Sequence, residues 1–176
     1  EIIVPGSYQM VSYAVEDGRE LWRYRGLTYQ VKSSPLLADG HIYFNSWAPG
    51  GEPAVRLVLP PFAEALAAHD ADKDGELSKA EVPSEWQPGN WEMQDLDKNG
   101  AFDAKDWQYY SQRRTSTNST LAVKLGGRGD VTETHLRWQS QRNMPDVPGV
   151  LLYQGVLYLI KNGGILTTLN PEDGSM

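Results

Sequence analysis

The chain has 176 residues and a formal net charge of −7, with 40% hydrophobic and 22% charged residues. This composition is typical of a globular protein and excludes a disordered tail. The chain contains no cysteine, which excludes disulfides, thiol catalysis and cysteine-based zinc sites.

The acidity is concentrated in one segment. Residues 70–106 hold eleven Asp or Glu against four Lys, so this segment accounts for the whole net charge of −7 and the rest of the chain is neutral. Without a basic patch, neither a nucleic-acid partner nor an anionic membrane surface is expected. No apolar run approaches the length of a membrane-spanning helix, so no membrane span is predicted.

The first 47 residues predict β-strands. Residues 11–22, VSYAVEDGRELW, read as a strand, a turn rich in Asp and Gly, and a second strand that ends on Trp22. Residues 33–47, SSPLLADGHIYFNSW, read as an apolar hairpin that turns at Asp39 and Gly40.

A helix followed by a calcium loop is predicted next. Phe62 and Leu66 are spaced i, i+4 on one helical face. Residues 70–81 then match the pattern D-x-[DN]-x-[DN]-G-x₅-E in full, with Gly75 at the sharp bend. We expect coordination by Asp70, Asp72, Asp74, the backbone carbonyl of Glu76, Ser78 through a water, and both oxygens of Glu81.

Residues 95–106, DLDKNGAFDAKD, form a second copy, in which Phe102 matches Leu77 of the first. The last ligand is Asp rather than Glu, one methylene shorter, so we expect coordination by one oxygen. This predicts weaker calcium binding or more tolerance of Mg²⁺, which prefers six ligands. The predicted ligands are Asp95, Asp97, Asn99, the carbonyl of Ala101, Asp103 and Asp106.

The simpler interpretation of both segments is a pair of solvated acidic loops. Two copies, each with its glycine and its apolar residue at the eighth position, argue against it. Because the carboxylates within each loop repel one another, we expect metal binding to be coupled to local folding. A helix that leads out of the second loop is predicted from residue 104.

The last part of the chain repeats the phrases of the first. Residues 120–138 and 165–176 resemble residues 11–22, and residues 148–164 resemble the hairpin at 33–47. The register of the repeats indicates a period of about 40 residues, which is usual for a propeller blade. We therefore predict three parts: residues 1–47, an insertion over 48–116, and a continuation over 117–176.

The segments Ala14–Trp22 and 167–175 resemble the tryptophan-docking repeat of PQQ-like (quinoprotein-type) β-propellers, A-x-D-x-x-T-G-x-x-x-W. This resemblance implies a mainly β fold, a partial β-propeller of about three incomplete four-stranded blades. The two calcium-loop patterns and their flanking helices predict that the insertion is an α-helical EF-hand pair. The resemblance also implies that Trp22 and Trp138 pack against neighbouring blades, and that the chain is a fragment of a longer bacterial protein.

The leading functional hypothesis is a non-catalytic, calcium-binding propeller scaffold with structural Ca²⁺ at two sites. We expect it in the periplasm or outside the cell, with a protein partner at the propeller rim. The alternative is a fragment of a PQQ-dependent quinoprotein dehydrogenase whose catalytic residues lie outside this segment, since the resemblance permits PQQ. A calcium-triggered switch is disfavoured by the short linker around Pro83 and Pro88.

No catalytic residue is predicted. The tripeptide Arg-Gly-Asp within Gly126–Asp130 is most simply a turn, and the glycosylation pattern at Asn118 is short and frequent. The three histidines are interpreted as structural or surface residues: His41, His69 and His135.

Overall fold

The computed structural model describes residues 1–49 and 57–176. The chain forms two compact units, which we call the β unit (Glu1–Ala54 and Ser116–Met176) and the acidic unit (Val55–Thr115). The predicted insertion over 48–116 includes residues 50–56, which lie outside the described residues.

Most elements of the described part of the chain are short strands. The strands are β1 (Ile2–Gly6), β2 (Gln9–Tyr13), β3 (Glu20–Arg25), β4 (Leu36–Ala38), β5 (His41–Ser46), β6 (Leu77–Ser78), β7 (Ala101–Phe102), β8 (Ser119–Lys124), β9 (Gly129–Asp130), β10 (Leu136–Ser140), β11 (Leu151–Tyr153), β12 (Val156–Lys161) and β13 (Ile165–Leu169). The helices are α1 (Phe62–His69), α2 (Ala104–Thr115) and α3 (Thr132–His135). The prediction of a mainly β chain is confirmed.

The β unit contains three small open sheets. Their strand orders are β1-β2-β3-β9, β10-β8-β5-β4 and β11-β12-β13. The second sheet joins two parts of the chain that the acidic unit separates in sequence, because β5 pairs with β8, from His41 opposite Lys124 to Ser46 opposite Ser119. A polypeptide inserted between two neighbouring strands leaves their ladder intact when its ends lie close together.

Two of the hairpin turns follow directly from sequence. Asp39 and Gly40 both have positive φ, 48° and 73°, and so do Gln154 and Gly155, at 48° and 76°. Two successive positive φ angles define the type I′ turn, whose twist matches that of the flanking antiparallel strands. The predicted hairpins β4–β5 and β11–β12 therefore form where the sequence places them.

The second sheet lies between the other two. On β5, Ile42 and Phe44 belong to a core cluster shared with Met10 and Trp22 of the first sheet. Tyr43, between them in sequence, belongs to a cluster with Leu157 of the third sheet. Because successive strand residues point to opposite faces, this run of three apolar residues on β5 packs against both neighbouring sheets.

A tryptophan closes the contact between the second and third sheets. Trp138 on β10 is 8% exposed, and its indole Nε1 donates a hydrogen bond to the carbonyl of Pro171 at 2.8 Å. The same indole covers Gly174, where a Cβ atom would stand 2.6 Å from Trp138 Cε3. Only a glycine fits under the ring without displacing it.

None of the helices in the described part of the chain has the length and apolar character that crossing a membrane requires.

Candidate metal centre

The acidic unit holds two loops on a small aromatic core. α1 ends immediately before the first loop (residues 70–81), and α2 begins inside the second loop (residues 95–106), at Ala104. Between and around them lie the buried side chains of Leu77, Val82, Phe102, Trp107 and Tyr110. Trp91 stacks on Phe102, with ring centroids 3.9 Å apart and planes 1° from parallel.

The two loops are joined by a two-stranded sheet. β6 and β7 pair antiparallel, with Leu77 opposite Phe102 and Ser78 opposite Ala101. Both apolar residues are fully buried. The eighth position of each loop therefore anchors the loop pair in the core of the acidic unit.

The backbone of the first loop is folded around its own carboxylates. Gly75 supplies the bend, with φ +89°, and Lys73 also has positive φ. The N–H to carboxylate bonds run from Gly75 to Asp70 (3.1 Å), Asp74 to Asp72 (3.2 Å), Glu76 to Asp74 (2.9 Å), and Ala71 and Ser78 to Glu81 (2.9 and 2.8 Å).

The second loop repeats these hydrogen bonds position for position. Gly100 has φ +95°, and Lys98 has positive φ like Lys73. The N–H bonds run from Gly100 to Asp95 (2.8 Å), Asn99 to Asp97 (3.2 Å), Ala101 to Asn99 (2.9 Å), and Leu96 and Asp103 to Asp106 (2.9 and 3.4 Å). Two segments of different sequence thus adopt one loop conformation.

Carboxylate oxygens converge in both loops. In the first, Asp70, Asp72 and Asp74 each place an oxygen within 4.8 Å of the others, and in the second Asp95, Asp97 and Asp106 do the same. The carboxylate at the twelfth position of the first loop, Glu81, lies outside this group of three and accepts from N–H groups at both of its oxygens.

The twelfth positions of the loops differ electrostatically. The Ser78 hydroxyl donates to Glu81 at 2.7 Å and, with the Ser78 and Ala71 N–H groups, lowers the pKa of Glu81 to about 2. Burial raises the pKa of Asp106 above its usual value, and the neighbouring Asp103 carboxylate raises it further. The second loop therefore holds a carboxylate that is costly to ionise without a cation.

The burial of Asp95 is a separate observation that points to a cation in the second loop. Its side chain is 4% exposed, and Oδ1 is buried with no hydrogen-bond partner among the described residues. The corresponding Oδ1 of Asp70 accepts from the Lys73 N–H at 2.7 Å. A buried carboxylate oxygen without a donor is unfavourable unless a cation neutralises it.

The chemistry of these donors fits a hard divalent cation. All converging side-chain atoms are oxygens, and no described Lys or Arg forms an ion pair with them. Calcium and magnesium take carboxylate, amide and backbone oxygens, whereas zinc and copper sites use nitrogen or sulfur. Asp95, Asp97 and Asp106, with the Asn99 amide oxygen, would hold the ion in the second loop.

The remaining predicted ligands are placed as follows. Glu76 and Ala101 occupy equivalent seventh positions, where we predict that their carbonyls coordinate the ion. Asp103 caps α2, because its Oδ1 accepts from the N–H groups of Lys105 and Asp106 at 2.8 and 2.9 Å. The hydroxyl of Ser78 donates a hydrogen bond to the Glu81 carboxylate.

The sequence did not predict two features of the site. A cavity of about 570 Å³ opens beside the second loop, and its lining includes Trp91, Asp95, Lys79 and Lys98. A side-chain hydrogen bond also connects the loops, from Asn99 to Glu76. Both depend on how the two loops face each other, which the spacing of ligands within one loop does not determine.

Comparison with known proteins gives no assignment. No protein-family model matches the chain, and a search of the curated proteins finds no match.

Proposed function

We propose that the acidic unit binds two divalent cations, with Ca²⁺ as the physiological ion and the second loop more tolerant of Mg²⁺. The observation that carries this proposal is the unpartnered, buried Oδ1 of Asp95 within a loop that repeats the hydrogen bonds of its neighbour. Bound cations would offset carboxylate repulsion and stabilise the unit, so the metal would act structurally.

The proposal extends to the whole chain as a non-catalytic, PQQ-like propeller scaffold outside the cytoplasm. It is supported by the three stacked sheets and by Trp138 packing on the turn at Gly174. Extracellular calcium modules have dissociation constants of roughly 10⁻⁴ to 10⁻³ M, a range that suits loops with exposed ligands such as Asp72 and Asp74.

Calorimetric titration of the metal-free chain tests the cation sites. We expect two calcium ions per chain with dissociation constants at or below about 10⁻³ M, and a change in tryptophan emission, because Trp91 and Trp107 border the loops. D70N and D95N should each remove one site. D39N serves as the control, because it makes the same charge change in a turn of positive φ that Asn tolerates.

A flat titration up to about 10⁻² M calcium, with unchanged emission and an unchanged melting temperature, would overturn the proposed function.

A further inference from the structure

One hydrogen bond crosses between the two loops through side chains. Asn99 Nδ2 donates to Glu76 Oε2 at 3.0 Å, although the residues are 23 positions apart in the chain. The bond lies beside the β6–β7 pair, which holds the loops in register through Leu77 and Phe102. Glu76 thus belongs to the first loop by its backbone and contacts the second by its side chain.

Together with the Ala101 N–H group, this bond holds the Asn99 amide with one end towards its own loop. An amide has a donor end and an acceptor end, and only the oxygen can bind a cation. With Nδ2 held by Glu76, Oδ1 is directed into the second loop, where it accepts from the Ala101 N–H at 2.9 Å. A flipped amide would present two N–H groups to the cation and repel it.

The first loop has no equivalent requirement. Its fifth position is Asp74, whose two ends are both oxygens, and the residue that corresponds to Glu76 in the second loop is Ala101, which has no polar side chain. The connection therefore runs in one direction, from the first loop to the second.

We propose that the Glu76 side chain is a positioning group for the second metal site, which orients the Asn99 amide for coordination. This inference rests on the proposed function, and specifically on a cation in the loop where the Asp95 oxygen lacks a partner. Glu76 itself does not touch that cation through its carboxylate. It acts through Asn99, and it links the second site to the residue whose carbonyl serves the first.

A pure charge effect is the competing explanation, because any nearby carboxylate attracts a cation. Glu92 separates the two explanations. Glu92 lines the cavity beside the second loop with Asp95 and Lys98. Among the described residues, the Asn99 amide donates to Glu76 and forms no hydrogen bond with Glu92. E92Q removes one negative charge near the second loop and leaves the hydrogen bond between Asn99 and Glu76 in place.

The experiment uses the full chain, labelled with ¹⁵N, in calcium titrations followed by NMR. The Gly75 and Gly100 amides report the two loops separately, because each donates to the first carboxylate of its own loop. The Asn99 side-chain amide gives a readout that needs no metal, since loss of the bond to Glu76 shifts its signals.

We expect E76A to shift the Asn99 amide signals and to raise the calcium dissociation constant at Gly100 about fivefold, with a change of less than about twofold at Gly75. E76Q retains an acceptor oxygen and should preserve most of the affinity. E92Q should change the Gly100 constant by less than about twofold.

The deciding comparison measures the effect of E76A in a chain that also carries N99D, because both ends of a carboxylate are oxygens and neither needs to be oriented towards the cation. In the N99D chain, E76A should no longer weaken calcium binding in the second loop, as the Gly100 amide reports it. Binding should become stronger, because the Glu76 carboxylate no longer repels the new carboxylate at position 99. Equal losses in E76A and E92Q, or a loss from E76A that persists in N99D, would overturn the positioning role. Absence of any calcium response at both glycines in the unsubstituted chain would instead refute the proposed function.

Discussion

Gly174 lies directly beneath the indole of Trp138, so that a Cβ atom at this glycine would stand 2.6 Å from Cε3 and 2.7 Å from Cδ2. Gly18 occupies an equivalent turn. Its N–H donates to the carbonyl of Ala14 at 3.0 Å, as the Gly174 N–H donates to Asn170 at 2.8 Å, and both glycines have φ +72°. No atom of the described residues lies within 4 Å of a Cβ atom at Gly18.

This pair of glycines separates backbone strain from packing. We expect both G18A and G174A to lower the free energy of unfolding by about 1 kcal/mol, because alanine disfavours positive φ. G174A should cost about 1–3 kcal/mol more, since the methyl group displaces Trp138. Urea unfolding followed by tryptophan emission measures both, and equal losses would show that the indole moves aside freely.

Asp106 is expected to show opposite effects with and without metal. D106N removes a buried carboxylate whose pKa is raised by burial, so the metal-free chain should become more stable. The same change should weaken calcium binding at the second loop at least tenfold. E92Q is the matched control, because Glu92 is exposed beside the second loop and is not one of its predicted ligands. Thermal unfolding in chelator and in calcium compares the two, and a parallel change in both conditions would contradict the prediction.

Acid should weaken the contact between β3 and β9 through Asp130. The Thr132 hydroxyl and N–H, with Arg25, lower the pKa of Asp130. A depressed folded pKa gives stability that is present above the unfolded value of 3.8 and is lost as pH falls below it. Wild-type stability should therefore fall more steeply below about pH 4 than that of D130N. Denaturant midpoints between pH 6 and 2.5 measure this, and parallel profiles would exclude the contribution.

Phe102 is expected to be essential to the acidic unit. It is fully buried, stacks on Trp91 and packs edge-on against Trp107 at 6.4 Å between centroids. F102A should cost about 3–5 kcal/mol by leaving a cavity, while F102L, which retains more volume, should cost less. Near-ultraviolet circular dichroism would register the loss of the aromatic cluster. An unchanged spectrum in F102A would show that the stack contributes little.

Local sequence predicted most of the candidate site. Each loop closes its hydrogen bonds within twelve residues, so the order of Asp, Asn and Gly is sufficient to indicate the conformation. The type I′ turns at Asp39-Gly40 and Gln154-Gly155 follow from equally local chemistry. The helix α3 and the parallel pairing of Trp22 with Gly129 were not predicted, because both lie within a segment that the sequence indicates only as a turn. The propeller, the EF-hand pair and the location outside the cytoplasm stay predictions.

The sequence by itself determined most of the longer strands, the hairpin turns and the placement of oxygen donors, because these depend on φ preferences and on spacing within a few residues. Only the tertiary structure decided that Asp95 is buried, that Asn99 contacts Glu76 and that Gly174 lies under Trp138. Burial and contacts between distant residues arise from the packing of whole elements, and a one-dimensional pattern does not encode which surfaces of those elements meet.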